Sequence, residues 1–185
     1  MSGLPPRVAL LRGVNLGPQR RVSMAELRAL ASGLGWTGVA THLQSGNLIF
    51  QAPGSDADVA EQLGAALNQR FGLHIDVVIR DQERLRTLLE AHPYADGDPS
   101  RVMVACSDRP IGAAALDRLG RLRRGDEQFA LAASGQDLYA SFPDGQARSR
   151  LAAGLIEALS PALATARNLR TMSTLVDLLR AEPAR

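Results

Sequence analysis

Lysine is missing from this chain of 185 residues: all 21 basic side chains are arginine, against 19 acidic ones, for a net charge of +2. Arginine meets carboxylate and phosphate through a planar fork of donors, so the bias admits anion binding. Alanine, glycine and leucine are abundant too, as a GC-rich coding sequence gives without any demand from function. Aromatic residues make up only 4%, which leaves little material for the stacking platforms that bind single-stranded nucleic acid. One cysteine, Cys106, excludes an intramolecular disulfide, and its apolar surroundings suit a small buried hydrophobe. No apolar run approaches a membrane span. The first, residues 8–11, is interrupted by Arg12 and does not read as a signal sequence. The expected location is the cytoplasm, with no membrane contact. His42, His74 and His92 are scattered, so no metal-ligand spacing arises. No phosphate loop or dinucleotide fingerprint follows Gly13 or Gly17. Neither a metal nor a cofactor is expected.

What is present is globular: 45% apolar and 22% charged residues, enough for one domain or two small ones. Residues 8–11 read as a short buried strand. A loop follows, marked by Gly13, Gly17 and Pro18. Ser23 and Glu26 have the spacing of a capping box, and Met24, Leu27, Leu30, Ala31 and Leu34 recur at helical period up to Gly35. Residues 39–44 and 48–51 read as a hairpin around the three-residue loop Ser45-Gly46-Asn47. Val59, Leu63, Ala66 and Leu67 stripe a helix ending near Gly72, and 75–79 is a β-branched strand. Strand, helix, strand, strand, helix, strand is the split-βαβ, ferredoxin-like order.

The second half echoes the first. Leu85, Leu88 and Leu89 form a connecting helix that stops before Pro93. A strand at 102–106 and a helix striped by Leu116, Leu119 and Leu122 follow. Then come a hairpin around Ser134-Gly135-Gln136, a helix on Leu151, Leu155, Ile156 and Leu159, a short strand at 165–167 and a last helix on Met172, Leu175, Val176 and Leu179. The expected fold class is α+β: duplicated ferredoxin-like (split βαβ) α/β sandwich units. Residues 1–92 would form the first unit with the connecting helix, and 93–185 the second with the C-terminal helix. The arginines at 118, 121, 123 and 124 read as the solvated face of one helix.

In such a unit the first and second strands run parallel with the third between them. The end of the first strand and the hairpin turn then share one sheet edge, with strands about 4.8 Å apart. That places Arg12 and Asn15 within reach of Ser45 and Asn47. An arginine fork, two carboxamides and nearby glycines suit a small anion or a nucleotide edge. Arg167 and Asn168, ahead of the last helix, are further candidates because a helix N-terminus favours anions. Turn chemistry and helix capping explain the same residues structurally. No nucleophile or general base stands out: His42 and Ser45, three apart on a strand, would point to opposite faces, and Asp96 and Asp98 fall in a loop.

Taken in order, Leu-Leu-Arg-Gly-Val-Asn at 10–15, Met24 with Leu27, Thr41 with Gln-Ser-Gly-Asn at 44–47, Pro93, Asp144-Gly145 with Ser149, and Thr-Ala-Arg-Asn at 165–168 resemble the bacterial family called domain of unknown function 1697. The resemblance implies a duplicated ferredoxin-like architecture and brings no established activity. Pro18 stands where the family often has glycine, and Leu169 where it often has tryptophan. The leading expectation is binding of a small anionic ligand, a nucleotide or metabolite, through Arg12, Asn15, Ser45 and Asn47, with Arg167 and Asn168. Nucleic-acid binding through a sheet face and a protein–protein interaction module are the alternatives.

Overall fold

Two four-stranded antiparallel sheets and six helices make up the described part of the chain, residues 4–17 and 21–180 of a computed structural model. The architecture is α+β. The chain divides into two compact units: residues up to Leu85 with those from Leu175 onward, and Arg86–Thr174. Among the described residues no helix is long and apolar enough to cross a membrane.

The first unit runs β1 (Arg7–Leu11), α1 (Met24–Gly33), β2 (Thr37–His42), β3 (Asn47–Gln51), α2 (Asp56–Phe71) and β4 (Val77–Asp81), with sheet order β2-β3-β1-β4. β1 is buried along its whole length. It pairs antiparallel with β3 (Leu10 opposite Asn47) and with β4 (Leu10 opposite Val78). Since β2 is also antiparallel to β3, β1 and β2 run parallel, as the shared-edge argument requires. One face of the sheet packs Ala9, Leu11, Leu48, Phe50, Val77 and Ile79 against Met24, Leu27 and Ala31 of α1 and Val59, Leu63 and Leu67 of α2. Trp36 stacks on Phe50 with ring centroids 4.3 Å apart.

Capping differs from the expectation in one respect. The Ser23 hydroxyl accepts from the Glu26 N–H, but the Glu26 carboxylate turns to Arg70 on α2 at 2.7 Å. The reciprocal capping box is at α2, where Ser55 and Asp58 each satisfy the other's backbone N–H. Arg7 pins the chain ahead of that helix: its guanidinium donates to the carbonyls of Ala52 and Gly54 and to Asp56, and lies over the Phe50 ring.

The second unit contains β5 (Val102–Ser107), α4 (Ala113–Leu122), β6 (Gln128–Leu131), β7 (Asp137–Ser141), α5 (Arg150–Ala158) and β8 (Ala164–Asn168), with sheet order β6-β7-β5-β8. Strand for strand this is the order of the first sheet. Two further helices are α3 (Gln82–Glu90) and α6 (Leu169–Arg180). Leu119, Leu151 and Leu155 join Ala105, Leu138, Ala140 and Phe142 in a second core. Cys106 is buried in β5.

The arginine cluster is not one solvated face. α4 ends at Leu122, so Arg123 and Arg124 lie beyond it. Arg118 reaches the carbonyls of Ala158 (3.0 Å) and Ser160, which end α5. Unpaired carbonyls at a helix C-terminus attract a cation, and that claim on Arg118 is invisible in linear sequence.

Candidate functional site

Three segments converge at one edge of the first sheet. The Leu11 N–H donates to the Gly46 carbonyl and the Arg12 N–H to the Asp76 carbonyl, both at 2.9 Å. The loop after β1, the turn before β3 and the lead-in to β4 are therefore stitched together by backbone. Gly46 makes the approach possible. Its φ is +77°, and a Cβ there would lie 2.6 Å from Val14 Cγ2 and 2.8 Å from Leu11 Cβ.

The turn itself spans residues 43–46, starting two residues and ending one residue before the expected loop at 45–47. Asn47 is the first residue of β3, paired with His42. The cause is local: the buried Asn47 carboxamide donates to the His42 carbonyl at 2.7 Å and to Ser45 Oγ at 3.1 Å, closing the turn from inside. Leu43 takes the left-handed conformation that this geometry demands, with φ +59°.

Asn15 also adopts positive φ, +58°. Its Nδ2 donates to the Gln44 carbonyl (2.7 Å) and the Val22 carbonyl (3.0 Å), while its Oδ1 accepts from the Val22 N–H (2.9 Å). One side chain thus ties the loop to the turn and to the start of α1. Arg12 sends Nη1 to Asp76 at 3.1 Å, and the exposed His74 brings Nε2 to within 3.5 Å of the other oxygen of that carboxylate. The structure gives Arg12, Asn15, Ser45 and Asn47 each a structural partner: Asn15 is tied to the turn that carries Ser45 and Asn47, whereas the Arg12 side chain goes to Asp76, ahead of β4 on the other side of β1.

Beside them lies an open cleft of about 550 Å³ lined by Asn15, Gly17, Arg21, Val22, Ser23 and Gln44. Arg21 is exposed and pairs with no carboxylate among the described residues. Sequence reasoning missed Arg21, His74 and Asp76, and took Gln44 only as part of the hairpin motif. The one available signal was Asp76, a charge inside a β-branched run. Pro18, expected to mark the loop, lies outside the described residues.

Arg167 and Asn168 belong to the second unit. Arg167 is buried in β8, donating to Thr165 Oγ1 (2.9 Å) and the Ala166 carbonyl (2.8 Å). Burial pulls its pKa down to about 10. Asn168 Oδ1 accepts from the Thr171 N–H at 2.8 Å, as the N-cap expectation requires.

The corresponding edge of the second sheet is built on the same bonds: Ser107 N–H to the Gln136 carbonyl and Asp108 N–H to the Leu163 carbonyl, both 2.9 Å. Its chemistry differs. Asp108 stands where the first unit has Arg12, and its carboxylate holds the Leu163 N–H at 2.8 Å. The connection to the following helix is short, residues 108–112, against residues 12–23 in the first unit.

The chain belongs to the family described as Protein of unknown function (DUF1697), whose sequence model matches residues 5–139. That span takes in both motifs of the first edge; the landmarks at 144–149 and 165–168 lie past it. The fold is similar to a solved structure of the conserved bacterial protein SP0830 from Streptococcus pneumoniae, with a TM-score of 0.78 at 21% identity, covering 97% of this chain and all of that one. No curated protein matches the chain.

Proposed function

We propose that the protein binds a small organic anion, a phosphate or carboxylate, in the cleft at the edge of the first sheet. The observation that carries this reading is the cleft lined by described residues of the long connection 12–23 and by Gln44, holding an arginine with no carboxylate partner among the described residues. Loops longer than their structural task requires are where binding residues concentrate. Arg21 would be the anion ligand. Asn15, Ser45 and Asn47 act as the frame, and Arg12 is held by Asp76. The reading is confined to the first unit and does not draw on Arg167 or Asn168.

Two supports stand behind it. The repeated strand order and matching edge bonds favour descent of both units from one ferredoxin-like ancestor, so the extra loop reads as an addition to a common plan. The nucleic-acid alternative needs exposed rings on a sheet, yet among the described residues Phe50 and Tyr139 are buried and Phe129 is half-buried. Titration calorimetry of the full chain with ethyl phosphate tests the reading. Saturable binding is expected, weakened at least tenfold, or about 1.4 kcal/mol, by Arg21→Ala. Binding that is absent, or indifferent to Arg21, overturns it.

A further inference from the structure

The two most exposed large apolar side chains among the described residues lie next in the chain to residues that line this cleft. Leu16 is 85% exposed and Leu43 54%. Leu16 sits between two lining residues, Asn15 and Gly17, and Leu43 precedes a third, Gln44. The Asn15–Gln44 hydrogen bond of 2.7 Å brings together the two segments that carry the leucines.

Neither leucine has a structural task that accounts for it. A turn position at φ +59° is met with less strain by glycine or asparagine. At Leu43 the chain instead keeps a strained aliphatic residue and exposes it. An observed backbone outlier of this kind points toward function, and exposed apolar groups rimmed by polar ones mark binding surfaces.

We infer that the anion bound at Arg21 carries an apolar group, which Leu16 and Leu43 cover. The ligand class is then an amphipathic organic phosphate or carboxylate, its charged end in the cleft and its apolar end on the rim. This inference rests on the anion-binding reading and narrows it.

The test uses the full chain and two probes, ethyl phosphate and octyl phosphate, the latter below its micellar concentration. Calorimetry should show octyl phosphate binding at least tenfold tighter than ethyl phosphate. In the double variant Leu16→Ser, Leu43→Asn that ratio should fall to near one. Asparagine tolerates positive φ, and Leu16 makes no core contact, so the variant keeps its fold; circular dichroism verifies this. Leu131→Ser, at an exposed leucine of the other unit, should leave the ratio intact. Equal affinity for both probes overturns the apolar rim while leaving anion binding standing. A chain-length preference that survives the double variant places the apolar contact elsewhere and also overturns it. Loss of binding to both probes would refute the anion reading itself.

Discussion

Replacing Gly46 by alanine should destabilise the first unit more than any other single methyl addition at this edge. Two separate penalties meet at that residue. At φ +77° an L side chain is strained by about 1 kcal/mol. The added Cβ would also lie 2.6 Å from Val14 Cγ2 and 2.8 Å from Leu11 Cβ. A side-chain tip could swing away, but Leu11 Cβ is fixed to a buried central strand. The turn must therefore retreat and stretch the 2.9 Å bond from the Leu11 N–H to the Gly46 carbonyl. Overpacking of this kind costs about 1–3 kcal/mol. The sum is about 2–4 kcal/mol, or roughly 5–15 °C in melting temperature for a chain of this size. Gly13→Ala provides the control within the same unit: φ is +64°, yet nothing lies within 4 Å of the position its methyl would take. It should cost only the conformational part, about 1 kcal/mol. Urea unfolding followed by circular dichroism measures both. If Gly46→Ala costs no more than Gly13→Ala, the loop and turn do not approach as closely as described, and the shared edge is wrong.

Asn15→Gly preserves the positive φ while removing three hydrogen bonds. It should cost about 1–3 kcal/mol, and hydrogen exchange should report the largest loss of protection at the Val22 amide; unchanged protection there would refute the tie. Tyr139 donates to the Leu88 carbonyl at 2.9 Å, and burial, with Asp137 and Cys106 nearby, lifts its pKa to about 12. A raised pKa gives stability that is complete below pH 10 and lost as pH climbs through 12. Arg167 works oppositely, since its lowered pKa relieves a burial penalty above pH 10. Tyr139→Phe should therefore melt lower than the parent at pH 7, and the difference should shrink between pH 10 and 12. A gap that stays constant with pH would contradict the assignment.

The strand order was legible because periodicity and turn residues agreed at each step: the buried run at β1, the stripe of Leu27 and Ala31, the β-branched start of β4. Failures came where a distant partner decided a residue's role. Glu26 fits a capping box by spacing, but Arg70, forty-four residues away, takes its carboxylate. Arg118 reads as solvated until the end of α5 arrives beside it. Asn47 was expected in the loop, and the His42 carbonyl draws it into the strand. Each is a competition between local spacing and a tertiary hydrogen bond, and linear sequence shows only one competitor.

The candidate site divides along the same line. That the loop after β1 would meet the turn before β3 followed from topology alone. Which of their side chains remain available could not follow, because Asp76 occupies Arg12 and two backbone carbonyls occupy Asn15. The second sheet sharpens the point. Its equivalent edge repeats the backbone bonds from Ser107 and Asp108 without the long loop, and no comparable cleft is needed to hold it together. Structure accounts for the stitched edge in both units. What it does not account for is what stands beside the first edge: Arg21 with no carboxylate among the described residues, and the exposed Leu16 and Leu43. The polar motifs that stand out in the sequence are the frame, and the functional argument rests on three residues beside them that no motif announces.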